Sequence, residues 1–247
     1  MKIDFIIPVY NEEKLLKESI TKLYNFLNSQ NYSFFWQIII AVNGSKDDTE
    51  KIAKEISGDK IKNIITKRQG KAHAIRLAIN KSLADYVIYM DVDLAVSLDN
   101  INDLLPNIYS NYDLVIGSRL LSASKRDRSI IKELSSKIYV LLSRIVLKHN
   151  FSDLQCGFKA IKRSSFNKVA ELIEDRNWFF DTELLIFFQR KNFKIKEIPV
   201  DWSENRYIKR KSKIILFSDS IKFTKKLFKL KKRLKKINPK YFCNEKP

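Results

Sequence analysis

The stretch from residue 86 to residue 93, YVIYMDVD, decides how this chain folds. Its first five residues are apolar or aromatic and predict a short buried strand, and two aspartates, Asp91 and Asp93, follow where that strand ends. In sheets built from alternating strands and helices, ligands bind beyond the carboxyl ends of the strands. We therefore expect the two carboxylates to lie at a ligand-binding edge.

Strand and helix patterns alternate on both sides of this stretch. Short apolar runs predict strands at residues 2–7, 34–42, 61–66 and 113–116. Apolar residues at helical spacing predict helices over residues 12–28, 46–57, 71–82 and 98–109. This alternation predicts an α/β fold, in which a mostly parallel sheet is flanked by helices and its strands are joined by right-handed crossovers. The polar clusters that follow the first four strands should therefore meet in one crevice.

The pattern changes after Arg119. Helices are predicted over residues 125–148, 165–173 and 213–237, and a strand near residues 195–200. The first of these helices carries five aliphatic residues at spacings of three and four, from Ile131 to Ile145. Because no repeat or low-complexity linker interrupts the chain, we predict one domain over residues 1–213, with halves 1–119 and 120–213. A basic amphipathic extension over residues 214–247 follows.

Composition limits the partners that the chain can have. Lys and Arg number 47 and Asp and Glu 28, so the net charge is 47 − 28 = +19. Such a balance favours a polyanionic partner, whether nucleic acid, an anionic membrane or a phosphorylated substrate. Two cysteines, Cys156 and Cys243, exclude a disulfide scaffold and a zinc–thiolate site, and two histidines exclude a histidine-rich metal site.

The strongest concentration of positive charge lies near the C-terminus. Ten basic residues and no acidic ones fall between Lys222 and Lys240, interleaved with apolar residues such as Leu227 and Leu230. This pattern predicts an amphipathic helix that lies in the plane of an anionic membrane. Two alternatives are a helix that packs its apolar stripe on the domain and exposes its basic face, and a nucleic-acid-binding helix.

Asp91 and Asp93 carry the clearest chemical signal. Two carboxylates two residues apart, directly after a buried strand, can share a divalent cation that also binds a diphosphate. Mg²⁺ and Mn²⁺ prefer such oxygen ligands and keep positions open for substrate oxygens. The alternative is two solvated acids in a loop.

Several motifs occur in an order that resembles a known family. FIIPVYNEE, NGSKDDT, QGKAHAIRLAI, YMDVDLA and IGSR follow one another through the first half. This order resembles the family 2 glycosyltransferases, which have the GT-A fold, a Rossmann-like fold of nucleotide-diphospho-sugar transferases. The later motifs SDLQCGFKAIKR, NWFFDTELL and IPVDWSENR are similar to those of polyprenyl- and dolichyl-phosphate hexosyltransferases, above all the dolichyl-phosphate β-glucosyltransferases.

The resemblance implies roles for individual residues. Residues 1–119 would form a donor half and residues 120–213 an acceptor half. The nucleotide-sugar would be bound by Pro8, Tyr10, Glu12, Asn43, Asp47, Lys71 and Asp91. Asp91 and Asp93 would hold the metal, Mg²⁺ or Mn²⁺, with the donor diphosphate. The acceptor phosphate would be met by Arg119, Arg128, Lys132, Arg206 and Lys213, and Glu183 would lie at the sugar site.

The implied reaction is inverting transfer of a hexose from a nucleotide-sugar to a polyprenyl or dolichyl phosphate. A lipid monophosphate has a second pKa of about 6 and is largely dianionic at neutral pH, so it needs charge neutralisation rather than a general base. UDP-glucose is the first choice of donor and GDP-mannose the second. We expect a peripheral enzyme on the cytoplasmic side of a membrane, with a membrane-spanning partner left open and no nucleic acid bound. The alternative is elongation of a cell-surface glycan.

Overall fold

A computed structural model describes residues 1–127, 130–203 and 216–242. The strands are β1 (Lys2–Val9), β2 (Phe35–Asn43), β3 (Ile61–Thr66), β4 (Tyr86–Met90), β5 (Leu114–Ser118), β6 (Arg126–Asp127), β7 (Phe158–Lys162), β8 (Ile195–Pro199) and β9 (Trp202–Ser203). The α-helices are α1 (Leu16–Ser29), α2 (Thr49–Glu55), α3 (Lys71–Lys81), α4 (Asn100–Tyr109), α5 (Ile130–Leu147), α6 (Arg163–Asn167), α7 (Phe180–Arg190) and α8 (Leu216–Lys236). Short 3-10 helices cover Ala170–Leu172 and Pro239–Phe242.

Seven strands form one sheet in the order β3-β2-β1-β4-β7-β5-β8. The first four of these are mutually parallel, and β5 and β8 are parallel to each other. β7 lies between β4 and β5 and is antiparallel to both. The prediction of a mostly parallel α/β sheet flanked by helices is confirmed. The sequence patterns did not predict the antiparallel strand β7.

The sheet is covered on both faces. All five residues of β4 are buried, which explains why this strand reads as a continuous apolar run. One apolar cluster joins a face of the sheet to α3, α5, α7 and α8, and a second joins the other face to α1 and α4. With helices on both sides, the ends of the strands are the open parts of the sheet.

Two predicted helices begin four or more residues later than expected. α1 starts at Leu16, four residues after the predicted start, because the Glu12 carbonyl accepts the N–H groups of Leu15 and Leu16 in a turn. The long helix predicted from residue 125 starts at Ile130, because Arg126 and Asp127 pair with β9 as strand β6.

The apolar stripe of α8 is covered by the domain. Leu227 and Leu230 are buried, and Phe223 packs edge-on against Tyr139 of α5 and Phe179. These contacts agree with the alternative prediction for the C-terminal segment, in which the helix packs its apolar side on the domain and exposes its basic side. The predicted domain boundary at residue 213 lies outside the described residues. Within the described part of the chain, no helix has the length and apolar character needed to cross a membrane.

Candidate functional site

Asn43, at the end of β2, joins three loops at the carboxyl edge of the sheet. Its side-chain N–H₂ donates to the Val9 carbonyl at 2.8 Å, and its side-chain oxygen accepts the Gly70 N–H at 3.0 Å. Asn43 is only 3% exposed, and its amide carries a donor and an acceptor on separate atoms, so it can bond two loops at once. It therefore fixes the spacing between the ends of β1, β2 and β3.

The loops after β1 and β2 are also bonded to each other. The Glu12 N–H donates to the Thr49 hydroxyl at 2.7 Å, and the Glu13 N–H donates to Asp47 at 3.2 Å. Burial alone would raise the pKa of Asp47, but hydrogen bonds from the Thr49 hydroxyl and from the backbone of Glu13 and Thr49 outweigh it, and the pKa is lowered. Asp47 is thus a stable anion that ties the loop after β1 to the start of α2.

Gly70 and Lys71 bring α3 into the same crevice. Gly70 has φ +138°, and a Cβ at this position would lie 2.5 Å from the Arg176 carbonyl oxygen, so only glycine fits. The Lys71 ammonium lies 2.5 Å from Asp91 Oδ1 and 4.5 Å from the centre of the Trp178 ring. The α3 N-terminus thus places a cation beside the first of the two aspartates.

Asp91 and Asp93 occupy the loop after β4. Asp91 packs on Gly157, where a Cβ would come within 2.2 Å of its Oδ2. Asp93 accepts the Ala95 N–H at 2.9 Å, and Leu94 between them adopts a positive φ of 50°. Among the described residues no group of three acids, histidines or cysteines could by itself hold a metal. The pair fits a cation that takes its other ligands from water and a bound diphosphate, as Mg²⁺ commonly does.

Arg119 follows β5 and is held by Asp153. Its guanidinium makes two hydrogen bonds to that carboxylate, at 2.7 and 3.0 Å. Burial would lower the pKa of Arg119, but the Asp153 charge raises it well above the ordinary value, and the same pairing overcomes burial to lower the pKa of Asp153. The expected acceptor-phosphate cation is therefore engaged in a buried ion pair.

Glu183 lies on α7 and is 3% exposed. Its carboxylate accepts the N–H groups of Glu174 and Asp175, both at 2.8 Å, and pairs with Arg233 of α8 at 2.6 Å. Burial raises its pKa, and these hydrogen bonds and Arg233 offset only part of that rise. In the described contacts Glu183 connects α7, the loop that precedes it and α8.

The remaining predicted site residues divide into two groups. Pro8 and Tyr10 lie at the end of β1, where the Tyr10 hydroxyl accepts a hydrogen bond from Gln69 at 3.2 Å. Arg128, Arg206 and Lys213 lie outside the described residues, and for Lys132 only its position on α5 is described. The structure therefore brings together the predicted donor residues and leaves most of the predicted acceptor residues without a described position.

Four residues outside the predicted set of site residues support the site by their contacts. Gly157, Asp153, Trp178 and Lys159 all come from SDLQCGFKAIKR or NWFFDTELL. Lys159 is buried at 0% exposure and pairs with Asp181 at 2.6 Å, and the Tyr89 hydroxyl donates to the same carboxylate. Gly157 lies between Cys156 and Phe158, and Lys159 follows directly. A glycine and a lysine inside an apolar run are the signals that could have indicated a tightly packed segment beside the site.

Comparison with protein families and curated proteins gives consistent results. Residues 4–170 match the family model described as glycosyl transferase family 2. The chain is 31% identical over 206 residues to glycosyltransferase AglD of Haloferax volcanii, an alignment that covers 82% of this chain and 33% of that protein. It is 32% identical over 216 residues to dolichyl-phosphate beta-glucosyltransferase ALG5A of Trichomonas vaginalis, covering 82% of this chain and 66% of that protein. The chain thus spans a third to two thirds of the length of these relatives.

Comparison with solved structures gives the fold. The structure superposes on glucosyl-3-phosphoglycerate synthase from Mycobacterium tuberculosis in complex with UDP, with a TM-score of 0.65 at 17% identity, covering 94% of this chain and 80% of that one. The same synthase in complex with Mn²⁺, UDP and glucosyl-3-phosphoglycerate gives a TM-score of 0.62 at 16% identity, covering 92% and 77%. These neighbours are GT-A glycosyltransferases, so the predicted fold class is confirmed.

Proposed function

The chain belongs to glycosyl transferase family 2, and on that basis we propose that it transfers glucose from UDP-glucose to a polyprenyl or dolichyl phosphate. The relatives named dolichyl-phosphate beta-glucosyltransferases support this choice of sugar and acceptor. The observation that carries the proposal is the arrangement of Lys71, Asp91 and Asp93 at the edge where the loops of β1, β2 and β3 converge. That edge combines a cation and two carboxylates, as binding of a diphosphate through a divalent ion requires.

The donor half would bind the nucleotide by means of loops that are already ordered. Tyr10 is bonded to Gln69, Glu12 is bonded to Thr49, and the Asn43 amide holds Gly70, so the loops after β1, β2 and β3 are tied together. Lys71, at the start of α3, would neutralise a phosphate oxygen once the donor binds, and the positive N-terminus of the helix favours the same charge. Trp178, packed on the Lys71 ammonium, limits the directions in which that side chain can move.

Asp91 and Asp93 would hold Mg²⁺ or Mn²⁺ together with the diphosphate of the donor. The bound ion would stabilise the negative charge on the departing nucleoside diphosphate. Asp91 is held against Gly157 and beside Lys71, so its carboxylate is directed before any ligand arrives. Such preorganisation reduces the reorganisation needed during the reaction.

The acceptor phosphate would attack the anomeric carbon directly, with inversion. Since the dianion is the nucleophile, the protein has to align it and offset its charge rather than remove a proton. Arg128, Lys132, Arg206 and Lys213 remain our proposal for this clamp. The Arg119–Asp153 pair supports the loop that leads to them, because the Arg119 carbonyl oxygen accepts a hydrogen bond from the guanidinium of Arg126.

We place the enzyme at the cytoplasmic surface of a membrane, where a lipid phosphate would be presented. The test is a screen of purified full chain with UDP-glucose, UDP-galactose, UDP-N-acetylglucosamine and GDP-mannose, each with a short water-soluble polyprenyl phosphate and Mn²⁺ or Mg²⁺. We expect glucosyl phosphopolyprenol from UDP-glucose, identified by mass spectrometry. Transfer to free oligosaccharides but not to the lipid phosphate would overturn the proposal in favour of glycan elongation.

A further inference from the structure

One face of α5 is apolar and exposed in the part of the chain that the structure describes. Its five aliphatic residues are Ile131 (69% exposed), Leu134 (57%), Ile138 (57%), Leu141 (58%) and Ile145 (66%). Spacings of three and four place them in a single stripe along the helix. Other exposed large apolar residues, such as Leu83 and Tyr109, lie on separate elements. A continuous apolar stripe on an otherwise charged protein marks a surface that contacts a partner or a membrane.

The opposite face of α5 is fixed in the domain. Val140, Val146 and Leu147 are buried in the apolar cluster shared with α7, and the Tyr139 hydroxyl lies 2.7 Å from that of Thr182. Because these inner residues pack α5 against the domain, the apolar stripe on the outer side of the helix stays exposed.

Positive charge borders the stripe. Lys137 and Arg144 are exposed and lie seven residues apart, which places them two turns apart along one side of the stripe, and the exposed Lys148 follows the end of the helix. The one acidic residue of α5, Glu133, is paired with Arg126 at 2.9 Å and Lys137 at 2.7 Å. The face as a whole is apolar at its centre and cationic at its margin.

The neighbouring helix α8 exposes many lysines but, among its described residues, only one large apolar side chain, Phe228 (48% exposed), rather than a stripe. Its Leu227 and Leu230 are buried under the domain, whereas Lys222, Lys225, Lys229 and Lys232 are exposed. Phe223 of α8 packs on Tyr139 of α5, so the two helices are adjacent. Stable attachment to a membrane surface requires an apolar and an electrostatic contribution together, and α5 is the helix that offers both.

We propose that this stripe, Ile131–Leu134–Ile138–Leu141–Ile145, is a docking surface for an anionic lipid bilayer. The choice of a bilayer over a protein partner rests on the cationic margin and on the proposed function, since Lys132, one of the expected acceptor-phosphate residues, lies in the first turn of the same helix and Arg128 shortly precedes that helix in the sequence. In this orientation the helix would lie in the membrane interface with its first turn next to the acceptor headgroup.

The test measures binding of the full chain to vesicles of phosphatidylcholine with 30 mol% phosphatidylglycerol, by sedimentation and without substrate. The variant is the triple substitution Leu134→Ser, Ile138→Ser and Leu141→Ser, and the matched control is Leu83→Ser, which removes an apolar side chain that is 79% exposed elsewhere. We expect the triple variant to bind at least about 10-fold more weakly, because three side chains no longer insert, and the control to bind as the parent does. Circular dichroism and sedimentation velocity confirm that each variant is folded and report its oligomeric state.

Three results would overturn the docking surface. The first is that the parent chain fails to bind these vesicles. The second is that the triple variant binds them as well as the parent does. The third is that the parent is a dimer that the triple variant converts to a monomer, which would assign the stripe to a second copy. Transfer of glucose to a short water-soluble acceptor is measured in parallel, and we expect it to survive in the triple variant. If the parent transfers no glucose to this acceptor, the proposed function alone is contradicted, because vesicle binding is measured without any substrate.

Discussion

In the donor half, the loops at the sheet edge are bonded to one another before any ligand is present, through Asn43, Thr49 and Asp47. In the acceptor half the charged groups are bonded differently. Asp153 is paired inside the protein with Arg119, the last residue of the donor half, and Glu183 is paired with Arg233 of α8. The donor half thus directs polar groups into a crevice, whereas the described acceptor half uses its ion pairs to hold elements together and leaves an apolar helix face outside. We infer that donor binding relies on a preformed site and that acceptor binding relies on cations near α5 and on the surface that presents the lipid.

The largest effect is expected from the donor crevice. Replacing Asp93 with Asn should lower kcat by at least about 1,000-fold, because a first ligand of the divalent ion is lost and with it several kcal/mol of leaving-group stabilisation. Asp91→Asn should act in the same direction and more weakly. Both variants should unfold at the parent's temperature. Full activity of Asp93→Asn, or undiminished activity of the parent in excess chelator, would contradict the role of these carboxylates.

The next effect tests whether α8 belongs to the body of the protein. Leu227→Ala should reduce the free energy of unfolding by about 2–5 kcal/mol, since a fully buried leucine leaves a cavity. The matched control is the adjacent Phe228→Ala, whose side chain is 48% exposed, and its effect should be far smaller. Denaturant titration measures both. Equal stability of the two variants would mean that α8 is an appended segment, as the division at residue 213 predicted.

Gly157→Ala keeps the carboxylate of Asp91 but displaces it, and so tests whether its position matters for activity. A Cβ would lie 2.2 Å from Asp91 Oδ2, and a carboxylate at the end of a side chain can move aside at little cost in stability. Activity should nevertheless fall by about 100-fold, because a displacement near 1 Å at a reacting site costs that much. Gly58→Ala, which meets nothing within 4 Å, is the control and should be fully active. A fully active Gly157→Ala would mean that Asp91 does not need this position.

How far the sequence predicted these features depended on whether a pattern was local. The strands β1 to β4 and the donor residues at their ends follow from apolar runs that stop at polar clusters, and the crossover rule places those ends at one edge. β7 was missed because Phe158–Lys162 is short, contains two lysines and pairs only with distant strands. The ion-pair partner of a charged side chain also depends on residues that are distant in sequence. Nothing near Arg119 or Glu183 in sequence shows that Asp153 and Arg233 will neutralise them.

The two amphipathic helices show the same limit. Both α5 and α8 have apolar residues at helical spacing with lysines between them, and the pattern predicted membrane contact chiefly for α8. In the structure the α8 stripe is covered and the α5 stripe is exposed, because α8 packs its apolar side on the domain beside α5. Helical periodicity indicates that one face will be buried, but it does not identify what buries it.

Removal of the predicted cations of the acceptor site should weaken the use of the acceptor substrate. Arg128→Ala and Arg206→Ala should each reduce kcat/KM for the acceptor by about 10- to 150-fold, the value of one lost charge-assisted hydrogen bond. The dependence on donor should change little for Arg128→Ala. Kinetics with varied polyprenyl phosphate at saturating donor provide the measurement, and Lys62→Ala on the distant strand β3 is the control. An unchanged acceptor dependence in both variants would remove these residues from the phosphate clamp.

The smallest effect concerns pH and the far end of α5. His149 is 1% exposed, its Nδ1 accepts the Phe151 N–H at 3.1 Å, and its Nε2 lies 2.9 Å from the Ser143 hydroxyl. The neutral ring with its proton on Nε2 satisfies both contacts, because the Ser143 hydroxyl donates onward to the Val140 carbonyl. Burial, followed by the nearby Arg144 charge, lowers the pKa of His149 from 6.5 to about 4.

The unfolded chain therefore takes up a proton on His149 before the folded protein does. The free energy of unfolding is independent of this group above about pH 6.5 and falls as the pH drops from there towards 4. Thermal unfolding of the parent should show this loss between pH 7.5 and pH 5, before most carboxylates titrate. His149→Gln should show a flatter dependence over that range, although its stability at pH 7.5 is lower. An unchanged pH dependence in His149→Gln would show that the pH response does not arise at the end of α5.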